Sequence, residues 1–170
     1  MSMEDDKKKR FIQSIESNKG IIYKVANSYC YNRDHVDDLI QEILIQVWLS
    51  FDRYDKSYKF STWLYRVALN TAISYYRREK RHETLRVSEN VQIIEVNEEE
   101  TEGLQEKVKL LHRLIGKFKE IDRALVLLYL DGYSQKETAD IIGISETNVA
   151  TKLHRIRKKL KKQIKENGGV

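Results

Sequence analysis

Residues 129–162 read YLDGYSQKETADIIGISETNVATKLHRIRKKLKK, and this stretch decides the architecture. Its pattern predicts two helices joined by a tight turn, the second of them basic. Ser134, with Glu137 three residues on, makes a capping box, so a helix is expected to start there. Ala139, Ile141 and Ile142 supply its apolar side. Gly143 suits the left-handed residue that ends a helix, because it has no Cβ to clash. Ile144 is placed to fill the corner and Ser145 to cap the next helix. Val149, Leu153, Ile156 and Leu160 follow at spacings of four, three and four, one buried stripe. Opposite it stand Thr147, Asn148, Thr151, Lys152 and Arg155. Short polar side chains followed by cations suit a helix whose first turns enter the DNA major groove while its later part grips phosphate. A surface hairpin with a solvated charged face satisfies the same pattern. The paired caps, the glycine turn and the one-sided charge favour DNA binding.

At 170 residues the chain has the length of one domain or two small ones, and its formal net charge is +5. That surplus is compatible with a nucleic-acid partner without establishing one, so the distribution of charge matters more than its sum. The absence of proline and the low glycine content favour long helices over strands and turns. The single cysteine, Cys30, cannot form an internal disulfide, and a buried thiol in a reducing compartment is expected. No apolar run reaches membrane-spanning length, and the charged N-terminus lacks a following hydrophobic stretch. A soluble, cytoplasmic protein with neither anchor nor signal peptide is expected. His35, His82, His112 and His154 show no metal-ligand spacing with Cys30, and neither a glycine-rich phosphate loop nor a nucleophile elbow is present. No catalytic residue, metal, cofactor or small-molecule substrate is therefore expected.

Working back toward the N-terminus, Met1–Arg10 reads as a charged lead-in that frays. Phe11, Ile12 and Ile15 begin a helical pattern that Ile21, Ile22, Val25, Ala26 and Tyr29 resume after Gly20. Asn32 to Asp34 reads as a turn, with Asp34 capping the next helix. Val36, Leu39, Ile40, Ile43, Val47 and Trp48 then recur at helical spacing, and Asp38, Gln41, Glu42 and Gln46 line the opposite side, by periodicity alone a solvated face. Residues 51–59, FDRYDKSYK, have no helical period and interleave aromatics with cations. Ser61 or Thr62 is expected to cap a long helix through about His82. On it Trp63, Leu64, Val67, Ala68 and Ala72 can face a core, while Arg66, Asn70, Ser74, Arg77, Arg78, Lys80 and Arg81 form a basic ridge. Rings stacking on bases while Arg and Lys track the backbone is the chemistry that holds unstacked nucleotides. Tyr54, Tyr58, Phe60 and Trp63 also make sense as core. Partial burial is expected of Phe60 and Trp63, and Tyr54, in a polar loop, is the better candidate for a base contact.

Between Glu89 and Glu106 there are seven glutamates and neither Lys nor Arg. Self-repulsion and low apolar content predict a flexible linker, with a short strand at Gln92–Val96 left open by alternation. Helical spacing returns with Leu104, Val108, Leu111, Ile115 and Phe118, then with Ile121, Leu125, Leu128 and Tyr129, which Gly132 stops. The expected fold is all-α: a helical domain at 1–86, an acidic flexible linker at 87–106, and a helix-turn-helix domain at 107–170.

Three segments in this order resemble the extracytoplasmic-function (ECF) group of bacterial RNA polymerase sigma factors. DDLIQEILIQVW (37–48) is similar to region 2.2, YKFSTWLYRVALNTAISYYRR (58–78) to regions 2.3 and 2.4, and the helix-turn-helix to region 4. The resemblance implies an alternative sigma subunit that binds core RNA polymerase, recognises the −35 and −10 promoter elements and promotes DNA opening. Asp38, Gln41 and Glu42 match the positions that dock on the clamp helices of the largest catalytic subunit. Tyr54, Trp63, Arg66 and Asn70 match positions around the pocket for a flipped base of the single-stranded −10 element, and Arg77 and Arg78 would hold nearby phosphates. Thr151, Lys152, His154 and Arg155 match the contacts to duplex −35 DNA. Where the family pattern has a basic residue after Val149, this chain has Ala150, so its preferred −35 sequence does not carry over from relatives. The resemblance further implies that the acidic linker threads toward the active-site cleft and RNA-exit path, and that an anti-sigma factor clamps both domains.

Two other classes compete. A helix-turn-helix regulator that is not a polymerase subunit explains the C-terminal module but leaves the aromatic loop and the Asp38–Glu42 face without a job. A nucleic-acid hydrolase would need a convergent carboxylate set, which the sequence does not offer.

Overall fold

The structure, a computed structural model, describes residues 2–30, 32–85, 106, 110–111 and 113–167. Among these residues there is no strand. The chain divides into two compact units, Met1–Val91 and Gln92–Val170. Helices α1 (Met3–Tyr29), α2 (Arg33–Ser50) and α3 (Phe60–Leu85) build the first, with a short 3-10 turn, Phe51–Arg53, between α2 and α3. In the second, helical residues 113–116 precede α4 (Glu120–Leu130), α5 (Gln135–Ile142) and α6 (Glu146–Glu166). Most of the acidic 87–106 segment lies outside the described residues, as do the strand weighed for Gln92–Val96 and the apolar positions Leu104 and Val108.

In the first unit all three helices pack on one another. Their shared core takes Ile22, Val25, Ala26 and Tyr29 from α1, Leu39, Ile43 and Val47 from α2, and Leu64, Tyr65, Ala68, Leu69 and Ala72 from α3. These are the positions helical spacing selects, together with Tyr65 and Leu69, which it had not singled out. Removing each of the Val, Leu and Ile side chains from water contributes on the order of 1.5–3 kcal/mol, and each alanine well under that. Cys30 is buried and forms no disulfide.

Three N-terminal expectations are corrected. The charged lead-in does not fray: α1 starts at Met3 and runs without a break through Gly20 to Tyr29. A reciprocal cap holds its start, with Asp5 N–H donating to Ser2 Oγ and Ser2 N–H to the Asp5 carboxylate. The Ser2 hydroxyl, donating to the Asp5 carboxylate at 2.8 Å, and then the Ser2 N–H hold that carboxyl below its ordinary range. At α2 the cap is Asn32 and not Asp34, for the Asn32 side-chain oxygen accepts the Asp34 N–H at 3.0 Å. Neither Ser61 nor Thr62 caps α3. Both already lie in its first turn, and the Trp63 N–H reaches back to the Lys59 carbonyl at 3.2 Å.

The second unit is built round Ile115, Phe118, Leu125, Val126, Ala139, Val149, Leu153 and Ile156, flanked by partly buried Leu111, Ile121, Ile142, Ile144 and Leu160. Tyr129, expected on the α4 apolar side, is instead half-exposed, its ring 4.7 Å from the Arg157 guanidinium. One core position is a charge. Arg123 is only 2% exposed and donates to the carbonyls of Phe118 (2.9 Å) and Gly116 (2.6 Å). Gly116 ends helical residues 113–116 and Phe118 lies just beyond, at the negative end of a helix dipole, so a cation is well placed there.

Replacing Arg123 with Leu removes its hydrogen bonds to both carbonyls, the Phe118 bond being buried. The second unit is predicted to lose about 2–4 kcal/mol of stability. Both tryptophans, Trp48 and Trp63, lie in the first unit. In a denaturant titration the circular-dichroism transition should therefore move to lower concentration, while the tryptophan-fluorescence transition stays in place.

Candidate nucleic-acid interface

The first candidate surface begins in the loop after the 3-10 turn. Tyr54, Phe60 and Trp63 form a closed aromatic group, with ring centroids 5.4 Å apart for Tyr54–Phe60, 5.5 Å for Phe60–Trp63 and 5.2 Å for Tyr54–Trp63. The Tyr54 hydroxyl donates to the Tyr58 carbonyl at 2.6 Å, closing the loop on itself. Tyr54 is thus no freer than its neighbours: all three rings are half-buried. The ring that stands clear is Tyr58, at 66% exposure.

At 100° per residue, the buried stripe of α3 turns Trp63, Arg66, Asn70, Ser74, Arg77 and Arg81 to its opposite side. Arg66, Asn70 and Arg77 are exposed there, in a line that starts at the aromatic group. Arg78 falls off that line. Its guanidinium reaches the Glu42 carboxylate on α2 at 2.5 Å and lies 5.7 Å from the Tyr75 ring. The Tyr75 phenol is pushed up to about 12 by burial first, then by Cys30 and the carboxylates of Glu79, Asp38 and Glu42, so it stays neutral. The structure therefore brings Tyr54, Trp63, Arg66, Asn70 and Arg77 onto one surface. It places Arg78 with the α2 residues.

On α2, Asp38 and Gln41 are exposed and Glu42 is half-buried against Arg78. Ile45 (55% exposed) and Leu49 (63%) continue the same stripe. Sequence reasoning passed over both. The signal was present in the spacing 38, 41, 45, 49, which puts two bare aliphatic side chains on a face otherwise read as solvated.

The second candidate surface is α6. Its N-cap, Ser145, accepts the Asn148 N–H at 3.1 Å. Before it, Gly143 adopts φ +82°, and its N–H and that of Ile144 both reach the Ala139 carbonyl, at 2.8 and 3.2 Å. Thr147, Asn148, Thr151, His154 and Arg155 are all exposed on one side. The Thr151 hydroxyl donates to the Thr147 carbonyl at 3.0 Å, so towards a ligand it offers an acceptor. Lys152 departs from this face. It is half-buried, and its ammonium lies 3.8 Å from the Asp122 carboxylate on α4. Lys158, seven residues beyond Thr151, lies on the same face and was not among the expected contacts.

Geometry divides the helix further. From Thr147 to Arg155 is about 12 Å of rise, the width of the major groove. Residues from Lys158 onward fall outside a groove entered by the first turns, where only phosphate is in reach.

Both units match known families. Residues 14–82 match the family model Sigma-70 region 2, and residues 109–160 match Sigma-70, region 4. The class is therefore that of sigma factors with a region 2 and a region 4 domain. Among curated relatives, the ECF RNA polymerase sigma factor SigW of Bacillus subtilis (strain 168) is 28% identical over 167 residues, covering 92% of this chain and 89% of the relative. The ECF RNA polymerase sigma factor SigM of the same strain is 30% identical over 144 residues, covering 82% and 86%. This chain belongs to the ECF RNA polymerase sigma factors. Its fold is shared with the sigma factor RpoE in complex with the anti-sigma factor NepR from Bartonella quintana, with a TM-score of 0.73 at 21% identity, covering 92% of this chain and 98% of that one. It is also shared with CnrH in complex with the cytosolic domain of CnrY, with a TM-score of 0.65 at 25% identity, covering 94% and 90%.

Two outcomes are predicted for α6. Arg155→Ala should weaken binding to a duplex −35 element by about 1–3 kcal/mol, whereas Lys152→Ala should weaken it less, because Lys152 is turned toward Asp122. Quantitative footprinting of the holoenzyme measures both. Gly143→Ala should destabilise the second unit by about 1–2 kcal/mol through backbone strain, with Gly143→Asn milder, as the thermal midpoint by circular dichroism would show. No atom lies within 4 Å of a Cβ added at Gly143, so steric overlap adds nothing.

Proposed function

We propose that this ECF sigma factor docks on core RNA polymerase through the α2 stripe, captures an unpaired −10 base at the head of α3, and reads −35 duplex with α6. The observation that carries this reading is the half-buried Tyr54–Phe60–Trp63 group at the head of the exposed Arg66–Asn70–Arg77 line. An aromatic platform continued by cations and an amide suits a splayed base with its backbone, and holding the base offsets part of the unstacking cost. Asp38, Gln41 and Glu42, with Ile45 and Leu49, form the docking face. Arg77 meets phosphate along the same strand, and Arg78 bridges the two faces. In the second unit Thr147, Asn148, Thr151, His154 and Arg155 meet the major groove. Lys152 contributes from its edge.

The residues work by binding, and the polymerase performs the chemistry, so the chain is not itself an enzyme and acts in the cytoplasm. The domains are 1–86 and 107–170, and the acidic segment 87–106 tethers them. An anti-sigma factor is the expected antagonist: the related RpoE is complexed with NepR, and CnrH with the cytosolic domain of CnrY. A stand-alone helix-turn-helix regulator leaves the region 2 match over residues 14–82 unexplained.

The test mixes the protein with sigma-free core polymerase and follows complex formation and run-off transcription. The wild type should form a stable complex and initiate at a promoter. Gln41→Ala should weaken core binding, and Asn70→Ala should slow opening roughly tenfold while leaving core affinity intact, the loss of one or two hydrogen bonds to a base. Failure of the wild type to bind core would overturn the proposal.

A further inference from the structure

Residues 3–13 precede the region 2 match, which begins at 14, yet they are helical and packed against the loop that carries Tyr54. Lys7 Nζ lies 2.7 Å from the Asp52 carboxylate and 4.4 Å from the centroid of the Trp48 ring. Phe11 sits edge-to-face on Trp48 (5.0 Å) and on Phe51 (5.5 Å). Phe51 in turn meets Phe60 at 6.3 Å, and Phe60 meets both Tyr54 and Trp63. The rings therefore form one unbroken path from the first turns of α1 to the aromatic group at the head of α3. Phe51 and Asp52 belong to the 3-10 turn, and the Tyr54 N–H donates to the Phe51 carbonyl at 3.2 Å. Holding that turn holds the point from which Tyr54 departs.

We propose that Lys7 and Phe11 are positioning residues for −10 base capture: they fix the Phe51–Arg53 turn and, through it, the Tyr54–Trp63 platform. The inference rests on the base-capture reading given above and extends it to a segment outside the family match. The two contacts are not equal. Asp52 is 70% exposed, so water screens its attraction for Lys7. Lys7 acts mainly by lying over Trp48 with most of its side chain buried, and Phe11 by wedging its ring between Trp48 and Phe51. Beyond the turn, Ser57 N–H donates to the Asp55 carboxylate and Tyr58 N–H to the Asp55 carbonyl, contacts internal to the loop that do not anchor it to a helix.

The experiment compares holoenzymes carrying Phe11→Leu, Lys7→Met, Lys7→Asp, or Lys7→Asp with Asp52→Lys, using Trp63→Ala as the reference. Opening is followed by 2-aminopurine at the captured −10 position, on a duplex promoter and on the same promoter with that region already unpaired. Phe11→Leu and Lys7→Met should slow duplex opening roughly two- to tenfold, the range of one lost aromatic or cation–ring contact. Core affinity should be unchanged and the unpaired template should restore the rate, while the charge exchange, which restores the ion pair but not the cation over Trp48, should stay as slow as Lys7→Asp. Should Phe11→Leu unfold the first unit, Lys7→Met and the charge exchange decide. Wild-type opening by the Lys7 and Phe11 variants beside a slow Trp63→Ala enzyme overturns the positioning role alone. Wild-type opening by Trp63→Ala as well removes the base pocket, and the positioning role falls with it.

Discussion

The buried stripe of α3 is the constraint from which the rest of the first unit follows. Leu64, Ala68 and Ala72 are fully buried, and Tyr65 and Leu69 nearly so. A helix has one rotation about its axis, so burying these five leaves no choice about where Trp63, Arg66, Asn70 and Arg77 point. The two alanines matter as much as the larger residues. Their small size lets α1 and α2 both approach one helix closely, and both do pack on α3. A bulkier residue at Ala68 or Ala72 would push a neighbour away and turn the exposed line with it. The core and the exposed polar line are in this sense fixed together, on opposite sides of one helix.

The second unit meets the same demand with different means. Its recognition helix is 21 residues long, about 31 Å, while the groove it is suited to is about 12 Å wide. Only the N-terminal turns can read bases, which is where the short polar residues Thr147, Asn148 and Thr151 stand. The apolar stripe of Val149, Leu153 and Ile156 seats that end against α4 and α5. The lysines from Lys158 on lie past the groove, and their density there suits a backbone contact that is insensitive to sequence. Arg123 supports this from beneath. It joins α4 to the turn before it through two charge-assisted hydrogen bonds to the carbonyls of Gly116 and Phe118.

Periodicity made the cores legible: Leu39, Ile43 and Val47, or Val149, Leu153 and Ile156, follow from spacing alone, and so does much of the exposed side of α3 and α6. The capping box at Ser134 and the left-handed Gly143 were legible too, because both are local. What escaped was non-local or polar. The first turns of α1 have no apolar residue between Met3 and Phe11, so they read as frayed, although a Ser2–Asp5 cap and a lysine laid over Trp48 hold them. Asn32 took the cap from Asp34 because its side chain reaches the N–H two residues on, a choice composition does not decide. Lys152 looked like its neighbours on α6 until Asp122, thirty residues earlier, supplied a partner. No local pattern encodes that distance.

The pair Arg78–Glu42, 36 residues apart in sequence, is the most consequential of these non-local contacts. It joins the acidic stripe of α2 to the basic side of α3. Glu42 is half-buried and Arg78 half-exposed, so the pair is screened on one side only. Whatever draws the carboxylate of Glu42 away leaves the guanidinium of Arg78 with less opposing charge, and hence a stronger attraction for phosphate. The reverse holds when phosphate engages Arg78. A substitution at Glu42 therefore alters both faces at once. On the proposed assignment of the two faces, loss of polymerase affinity and gain of DNA attraction are two consequences of one removed charge. Gln41, exposed one position earlier and uncharged, has no such electrostatic coupling to α3. The proposed docking face is thus separable from the proposed nucleic-acid face at Gln41 and inseparable from it at Glu42.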